Sequence, residues 1–230
     1  MKQYLTKLQK CSLFHHKSED EIDALLASIF CRVEDYEENG IILSPLQEAN
    51  RIGIILSGSV DVQKIFPNGK VVIIERKEAF ELIGDSSIFS HYAYFPDTIC
   101  ACKPTKILFI SKTDLLHLFQ LDQSLMLNYL ESTSNSTLLL RHKIGLLSLD
   151  SIQEKIAGYL VYSLQETEEF KETKTILLPF SKKAWAEYMD VSRTSLSREL
   201  RKLETDGILT FNKRAITILD IDRLNKILSL

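Results

Sequence analysis

Between Ser181 and Leu203 the chain reads S-K-K-A-W-A-E-Y-M-D-V-S-R-T-S-L-S-R-E-L-R-K-L, and few folds accommodate two short helices set so close together. Ser181 and Ser192 stand where N-caps are needed, because a hydroxyl can accept from the free amides of a first helical turn. Trp185, Ala186, Met189, Val191 and Leu196 fall where two crossing helices bury apolar or small groups, and Ala186 is small enough to permit close approach. The spacing predicts a helix-turn-helix. In its second helix Leu196, Leu200 and Leu203 share one face, at about 100° per residue, and Thr194, Ser197, Arg198 and Arg201 share the opposite one. Beyond it, Gly207 marks a C-terminal stop. Two alternating strands follow, joined through Asn212, Lys213 and Arg214 as a tight basic hairpin, or wing.

The outer face of that second helix is free to read a partner. Arg193 lies in its first turn, the end that enters a major groove and where the helix dipole also favours phosphate. From Pro179 to Arg214 there are eight Lys and Arg against five Asp and Glu, a locally basic segment in a chain of net charge -3. A local patch, not the total charge, decides for double-stranded DNA. The expected DNA-binding residues are Ser192, Arg193, Thr194, Ser197, Arg198 and Arg201, with Lys213 and Arg214 on the phosphates. The competing reading is an ordinary amphipathic helix with a solvated face; the preceding helix and the following hairpin weigh against it.

At 230 residues and 45% hydrophobic content the chain can bury a sizeable core and is expected to hold two domains. The opening M-K-Q-Y-L-T-K-L-Q-K is amphipathic, and no stretch reaches the ~18 apolar residues of a membrane span, so a soluble, cytoplasmic protein without membrane contact is expected. Cys11, Cys31, Cys100 and Cys102 lack disulfide or zinc spacing and read as buried reduced thiols. No H-x-H or H-E-x-x-H occurs among the five histidines, so neither a metal site nor a catalytic residue is expected.

Residues 3–30 read as helical, with a fresh start at Ser18. From Arg32 short strands follow, ending at Glu38-Asn39-Gly40, Ser44-Pro45, Ser57-Gly58 and Pro67-Asn68-Gly69, then continuing through K-V-V-I-I-E-R, T-I-C-A-C-K and K-I-L-F-I. Such spacing predicts a compact antiparallel roll or barrel, interrupted at Gly84-Asp85-Ser86-Ser87, where a ligand loop could sit. From Asp114 the chain turns helical again, ending in a long helix near Ser148. Its broad apolar stripe must meet both its own roll and another surface, most simply a second copy of itself. Ser151-Ile152-Gln153-Glu154 is a capping box that opens the next domain. The hydrophilic run Gln165–Thr175 leads into the strand I-L-L.

A roll carrying I-I-L-S-G-S-V-D-V, a glycine-acidic loop, a long helix and a winged helix-turn-helix containing V-S-R-T-S-L-S-R-E-L together resemble the Crp/Fnr family of bacterial transcription regulators, over essentially the whole chain. The resemblance implies an α+β fold with an N-terminal antiparallel β-roll of the cyclic-nucleotide-binding kind, a long dimerisation helix and a C-terminal winged helix-turn-helix. The expected division is residues 1–122 for sensing, 123–148 for dimerisation and 149–230 for DNA. It also implies a homodimer on inverted-repeat sites, RNA polymerase as a partner, and an effector in the roll that alters the placement of two DNA-reading helices. Arg193 and Arg198 match family positions that contact bases or phosphates. Thr194 stands where many members carry Glu, so a glutamate contact to cytosine is not available.

The family's nucleotide pocket is matched poorly. Cyclic-AMP-binding members carry Gly-Glu for the ribose and, about ten residues on, Arg-Ser for the cyclic phosphate. Here those places read Gly84-Asp85 and Phe95-Pro96, and the hydroxyls offered to adenine fall at Leu140 and Arg141. An apolar residue cannot neutralise a phosphate, so cyclic AMP is not expected. Cys11 and Cys31 are too far apart to resemble the iron-sulfur cluster of the oxygen-sensing branch. No cofactor is therefore expected. The effector pocket suggested by the resemblance comprises Gly84, Asp85, Ser86, Ser87, Phe95, Leu140 and Arg141, and Arg141 beside apolar walls would suit a small organic anion. The commoner case for an arginine, and the reading that stands ahead of the anion, is that Arg141 is exposed or pairs with a carboxylate across a dimer. Two rivals stand beside a DNA-binding regulator. An enzyme on the roll would require clustered His and carboxylate ligands, and a ligand- or partner-binding module without DNA contact would leave the basic wing unexplained.

Overall fold

A computed structural model describes residues 2–166, 173–178 and 181–228. The chain forms two compact units, residues 1–136 and 137–230. The first begins with α1 (Leu5–Leu8) and α2 (Glu19–Ala27). Continuous helix over 3–30 is not what forms: turns of 3-10 helix at Lys2–Tyr4 and Ser12–Phe14 flank α1, and His16 takes a φ of +64°. Ser18 then restarts the helix as expected. Its backbone N donates to Glu21 Oε2 at 2.8 Å, and Glu21 N donates to Ser18 Oγ at 3.3 Å, a reciprocal capping box.

Eight strands follow: β1 (Cys31–Tyr36), β2 (Ile41–Leu43), β3 (Arg51–Ser57), β4 (Ser59–Ile65), β5 (Val71–Glu78), β6 (Leu82–Ile83), β7 (Thr98–Ala101) and β8 (Thr105–Ser111). They pair antiparallel in two four-stranded sheets, ordered β1-β8-β3-β6 and β2-β7-β4-β5, which is the expected roll. β6 is too short to show a period in sequence. The unbroken apolar run of β3 has a simple cause. Ile52, Ile54 and Leu56, with Leu108 and Ile110 of β8, face a core shared with α1 and α2, whereas Ile55, Ile107 and Phe109 face a second core with Ile83 and Ile99. Successive side chains point to opposite faces, so a strand buried on both sides must be apolar throughout.

The glycine of I-L-S-G-S-V holds the β3–β4 corner. Gly58 has a φ of +97°, and a Cβ there would lie 2.2 Å from Thr105 Oγ1 and 2.7 Å from Thr105 Cα. Thr105 is itself pinned, its Oγ1 donating to Lys103 O at 2.7 Å. Gly58→Ala combines a strained φ with overpacking and is expected to destabilise the roll by about 2–4 kcal/mol, measurable by urea unfolding of the full chain.

The cysteines depart from expectation. All four are free, but only Cys11 is buried; Cys31, Cys100 and Cys102 are partly exposed. The reason is register. Cys100 pairs with Asp61 across β7 and β4, on the face opposite the buried Ile99 and Ala101. Burial pushes the Cys11 thiol up to about 12, so it stays a neutral packing group.

α3 (Lys112–Leu121) is capped by Ser111, and α4 (Gln123–Leu147) carries Leu125 and Tyr129 into the core of the roll. The broad stripe expected on α4 is present. Met126, Leu127, Leu130, Leu138, Leu139, Leu140, Ile144 and Leu147 all stand exposed. Met126, Leu130, Leu140, Ile144 and Leu147 keep the alternating four- and three-residue spacing of a coiled-coil seam, with Thr133 and Thr137 in the intervening places.

The second unit continues with α5 (Ile152–Glu166), opened by the expected capping box, in which Ser151 N donates to Glu154 Oε2 at 2.7 Å and Glu154 N to Ser151 Oγ at 3.1 Å. Of the hydrophilic run 165–175, residues 167–172 lie outside the described residues. β9 (Thr175–Leu177), α6 (Lys182–Tyr188), α7 (Arg193–Thr205), β10 (Leu209–Asn212), β11 (Ala215–Ile218) and α8 (Ile221–Ile227) complete the unit. The strands form a sheet ordered β10-β11-β9. One core contains Trp185, Ala186, Met189, Leu196, Leu200 and Leu203 together with Ile156, Leu160, Ile216 and Leu224.

Candidate nucleic-acid interface

The geometry of α6 and α7 follows from their caps. Ser181 Oγ accepts from Ala184 N at 3.3 Å, and Ser192 Oγ accepts from Ser195 N at 3.0 Å, so each serine satisfies an amide that the helix leaves free. Between them, Asp190 N donates to Glu187 O at 3.1 Å and Val191 N to Ala186 O at 2.9 Å, with Asp190 at a φ of +54°. This is a Schellman closure with aspartate in the place usually held by glycine. Gly207, at a φ of +69°, ends α7 in the same way: Gly207 N donates to Glu204 O and Ile208 N to Leu203 O. Both turns are therefore closed by backbone bonds, which makes the relative direction of the helices a property of local sequence.

With Leu196, Leu200 and Leu203 turned into the core, the other side of α7 is left to solvent. Arg193, Thr194, Arg198 and Arg201 are exposed, Ser197 is half-buried, and a shallow concavity runs along them and continues past Lys202, Thr205 and Asp206. The structure thus brings together all six residues expected on this helix and its cap. Ser192 serves first as the cap, its hydroxyl also within 2.9 Å of Thr194 Oγ1. In the wing, Lys213 occupies the tip at a φ of +53°. Arg214 is exposed but partly committed, because its Nε donates to Leu178 O at 2.9 Å and ties the wing back towards β9.

Two residues of this surface escaped sequence reasoning. Lys182 places its ammonium 3.8 Å from the centroid of the Phe211 ring, linking the start of α6 to the wing. Burial, and then the neighbouring Arg201 and Arg193, push its pKa below the usual lysine value. Lys182 thus stands beside the arginines of that face. Glu199 is the second. It lies on α7 yet is only 7% exposed. Its Oε1 accepts from Lys202 Nζ at 3.0 Å and Arg198 Nε at 3.2 Å, and its Oε2 accepts from Gln153 Nε2 of α5 at 3.0 Å. The bond to Lys202 leads in holding this carboxyl below the usual glutamate range. A charged residue at a buried helical position was the available sign, since such residues are almost never buried without partners.

The residues expected around an effector are placed as follows. Asp85 and Ser87 are buried in the first unit, and Asp85 Oδ1 lies 3.9 Å from Lys77 Nζ. The Tyr129 hydroxyl donates to Asp85 O. Phe95 is 3% exposed, packed so closely that a Cβ on Gly84 would lie 2.9 Å from its ring. Its ring fills the space beside the loop. Leu140 and Arg141 belong to the second unit, both exposed. Among the described residues no group of three or more His, Cys, Asp or Glu could hold a metal ion, and no helix is long and apolar enough to cross a membrane.

A roll of cyclic-nucleotide-binding type followed by a winged helix-turn-helix defines a DNA-binding transcription regulator. Family comparison agrees: a cyclic nucleotide-binding domain model matches residues 33–122, and a Crp-like helix-turn-helix domain model matches residues 154–227. The chain belongs to the Crp/Fnr family of transcription regulators. Among solved structures it is similar to CprK complexed with OCPA (TM-score 0.63, 16% identity, covering 90% of this chain and 92% of that one). It is also similar to a CooA mutant from Carboxydothermus hydrogenoformans (0.60, 20%, covering 91% and 92%) and to the catabolite activator protein of Thermus thermophilus (0.53, 18%, covering 95% and 98%). At such identities these likenesses concern the fold. A comparison with curated protein sequences gives no match.

Proposed function

We propose that this regulator binds inverted-repeat DNA as a homodimer, with α7 of each protomer in the major groove and the wing on the flanking backbone. The observation that carries the reading is the composition of the solvent face of α7: Arg193, Thr194, Ser197, Arg198 and Arg201 line one concavity, beside Lys182 and ahead of a wing tipped by Lys213. Arg198 spends only Nε on Glu199, which leaves both terminal nitrogens for a bidentate contact to guanine. Residues 123–148 supply the dimer seam through the exposed stripe of α4, and residues 149–230 read the DNA. We place the signal in the roll of residues 1–122. Its ligand is proposed to be other than cyclic AMP, because Phe95 and Pro96 bring no cation to a cyclic phosphate. RNA polymerase contact follows only from membership of the family.

The test uses sites enriched by the full-length protein from randomised duplexes. Arg198→Ala is expected to weaken specific binding by about 1–3 kcal/mol and to relax preference at one position of each half-site. Replacement of both Lys213 and Arg214 by Ala is expected to leave sequence preference intact and to flatten the salt dependence of binding. Half-sites about one helical turn apart are expected in the enriched pool. Equal specificity in Arg198→Ala and wild type would contradict the reading of this face.

A further inference from the structure

Glu199 is poorly explained as a packing residue. A carboxylate shielded from water is costly to desolvate unless its oxygens are occupied, and a hydrophobic group of similar size would fill a helix-core position at no such cost. Glutamate is present all the same, with both oxygens occupied and each partner doing something different. Gln153 Nε2, at 3.0 Å from Oε2, joins the carboxylate to α5, the helix that shares the core of this unit. Lys202 Nζ at 3.0 Å and Arg198 Nε at 3.2 Å converge on Oε1. The carboxylate thus stands between a fixed element and two cations of the reading face.

We propose that Glu199 is a positioning residue that sets the sequence specificity of the helix by holding Arg198 in its reading rotamer. This rests on the DNA-binding reading given above and deepens it. An arginine side chain has many rotamers to lose, and a group already held loses fewer of them when a base arrives. The hold is at Nε, the one guanidinium nitrogen that a bidentate contact to guanine does not need. The arrangement also separates two terms that are usually mixed. Glu199 carries a negative charge close to DNA phosphates, so it opposes non-specific attraction while it favours the specific contact. Removing the charge is expected to move the two affinities in opposite directions.

The experiment measures affinity of the full-length protein for a duplex enriched by wild type and for a scrambled duplex of the same composition. The proteins are wild type, Glu199→Gln, Arg198→Ala and the double variant. Glu199→Gln keeps the size of the side chain and an oxygen for Gln153. It is expected to lower the ratio of specific to non-specific affinity about five-fold, the lower end of what one bidentate base contact discriminates, while binding to scrambled DNA stays equal or tightens. In the Arg198→Ala background the same substitution should leave the ratio unchanged, because nothing remains to be positioned. A purely structural role would lower both affinities together and would do so in either background. Gln153→Ala, remote from the reading face, supplies the second measurement if Glu199→Gln folds poorly, and should lower the ratio in the same direction by a smaller factor. A ratio unchanged in both Glu199→Gln and Gln153→Ala, or one lowered equally with and without Arg198, overturns the proposal while leaving DNA reading intact. If wild type enriches no sequence, the DNA-binding reading itself fails and this one with it.

Discussion

Replacing Ile144 by Glu is expected to leave a folded monomer and to cost more than about 100-fold in affinity for the specific site. Ile144 is 65% exposed on α4, in the four- and three-residue series that includes Leu130, Leu140 and Leu147. Solvent-facing aliphatic residues at this spacing gain nothing in an isolated chain, and a second α4 laid against them would bury each one. A carboxylate there would have to be desolvated in the seam opposite its own copy, so the pair would separate. Loss of affinity follows by arithmetic: two linked reading heads bind more tightly than one by about 10²–10⁴, an advantage that disappears with the link. Sedimentation at micromolar concentration measures the first effect and titration of the enriched duplex the second. Leu46→Glu, at a residue 90% exposed on a loop of the roll, is the control and should change neither. A dimeric Ile144→Glu protein with full affinity would place the interface elsewhere.

Trp185→Ala is expected to cost about 3–5 kcal/mol, the range for a fully buried large aromatic cut back to a methyl. Trp185 is fully buried, with the Tyr159 ring edge-on at 5.3 Å between centroids and Ala186, Met189, Leu196 and Leu200 in the same cluster. A unit of this size holds on the order of 5–10 kcal/mol, so the loss removes much of its stability and, at about 4–8 °C per kcal/mol, lowers its melting temperature by about 12–40 °C. The effect is expected in the unit of residues 137–230, because Trp185 lies in the core of that unit. Its Nε1 has no hydrogen-bond partner among the described residues. Trp185→Phe keeps an aromatic plate and discards that unpaired donor, so its cost is expected to be roughly half or less. Differential scanning calorimetry of the full chain checks both, and equal losses for Ala and Phe would show that a benzene ring recovers none of the indole's packing and that the unpaired donor carries no cost.

What the sequence determined by itself is local. The caps at Ser18, Ser181, Ser192 and Ser151, the stop at Gly207 and the three-and-four spacing of Leu196, Leu200 and Leu203 depend on hydrogen bonds and side-chain directions within a few residues. The same economy of range made the alternation of β10 and β11 and the basic turn between them legible. Once one face of α7 was assigned to the core, the other face was left to solvent, and that is why the residues of that exposed face could be named from the sequence. Tertiary structure decided whatever depends on which residues from distant parts of the chain come together. β6, two residues long, exists because Leu82 and Ile83 meet Ile54 and Gly53 of β3. Phe95, placed by counting beside an effector, is packed against the Gly84 loop. Cys100 is partly exposed because register, not residue type, chose its face. Glu199 received its meaning from Gln153, a side chain 46 residues earlier that no periodicity connects to it. A buried charge needs its partners in space, and those partners belong to other elements that only folding brings within hydrogen-bonding distance.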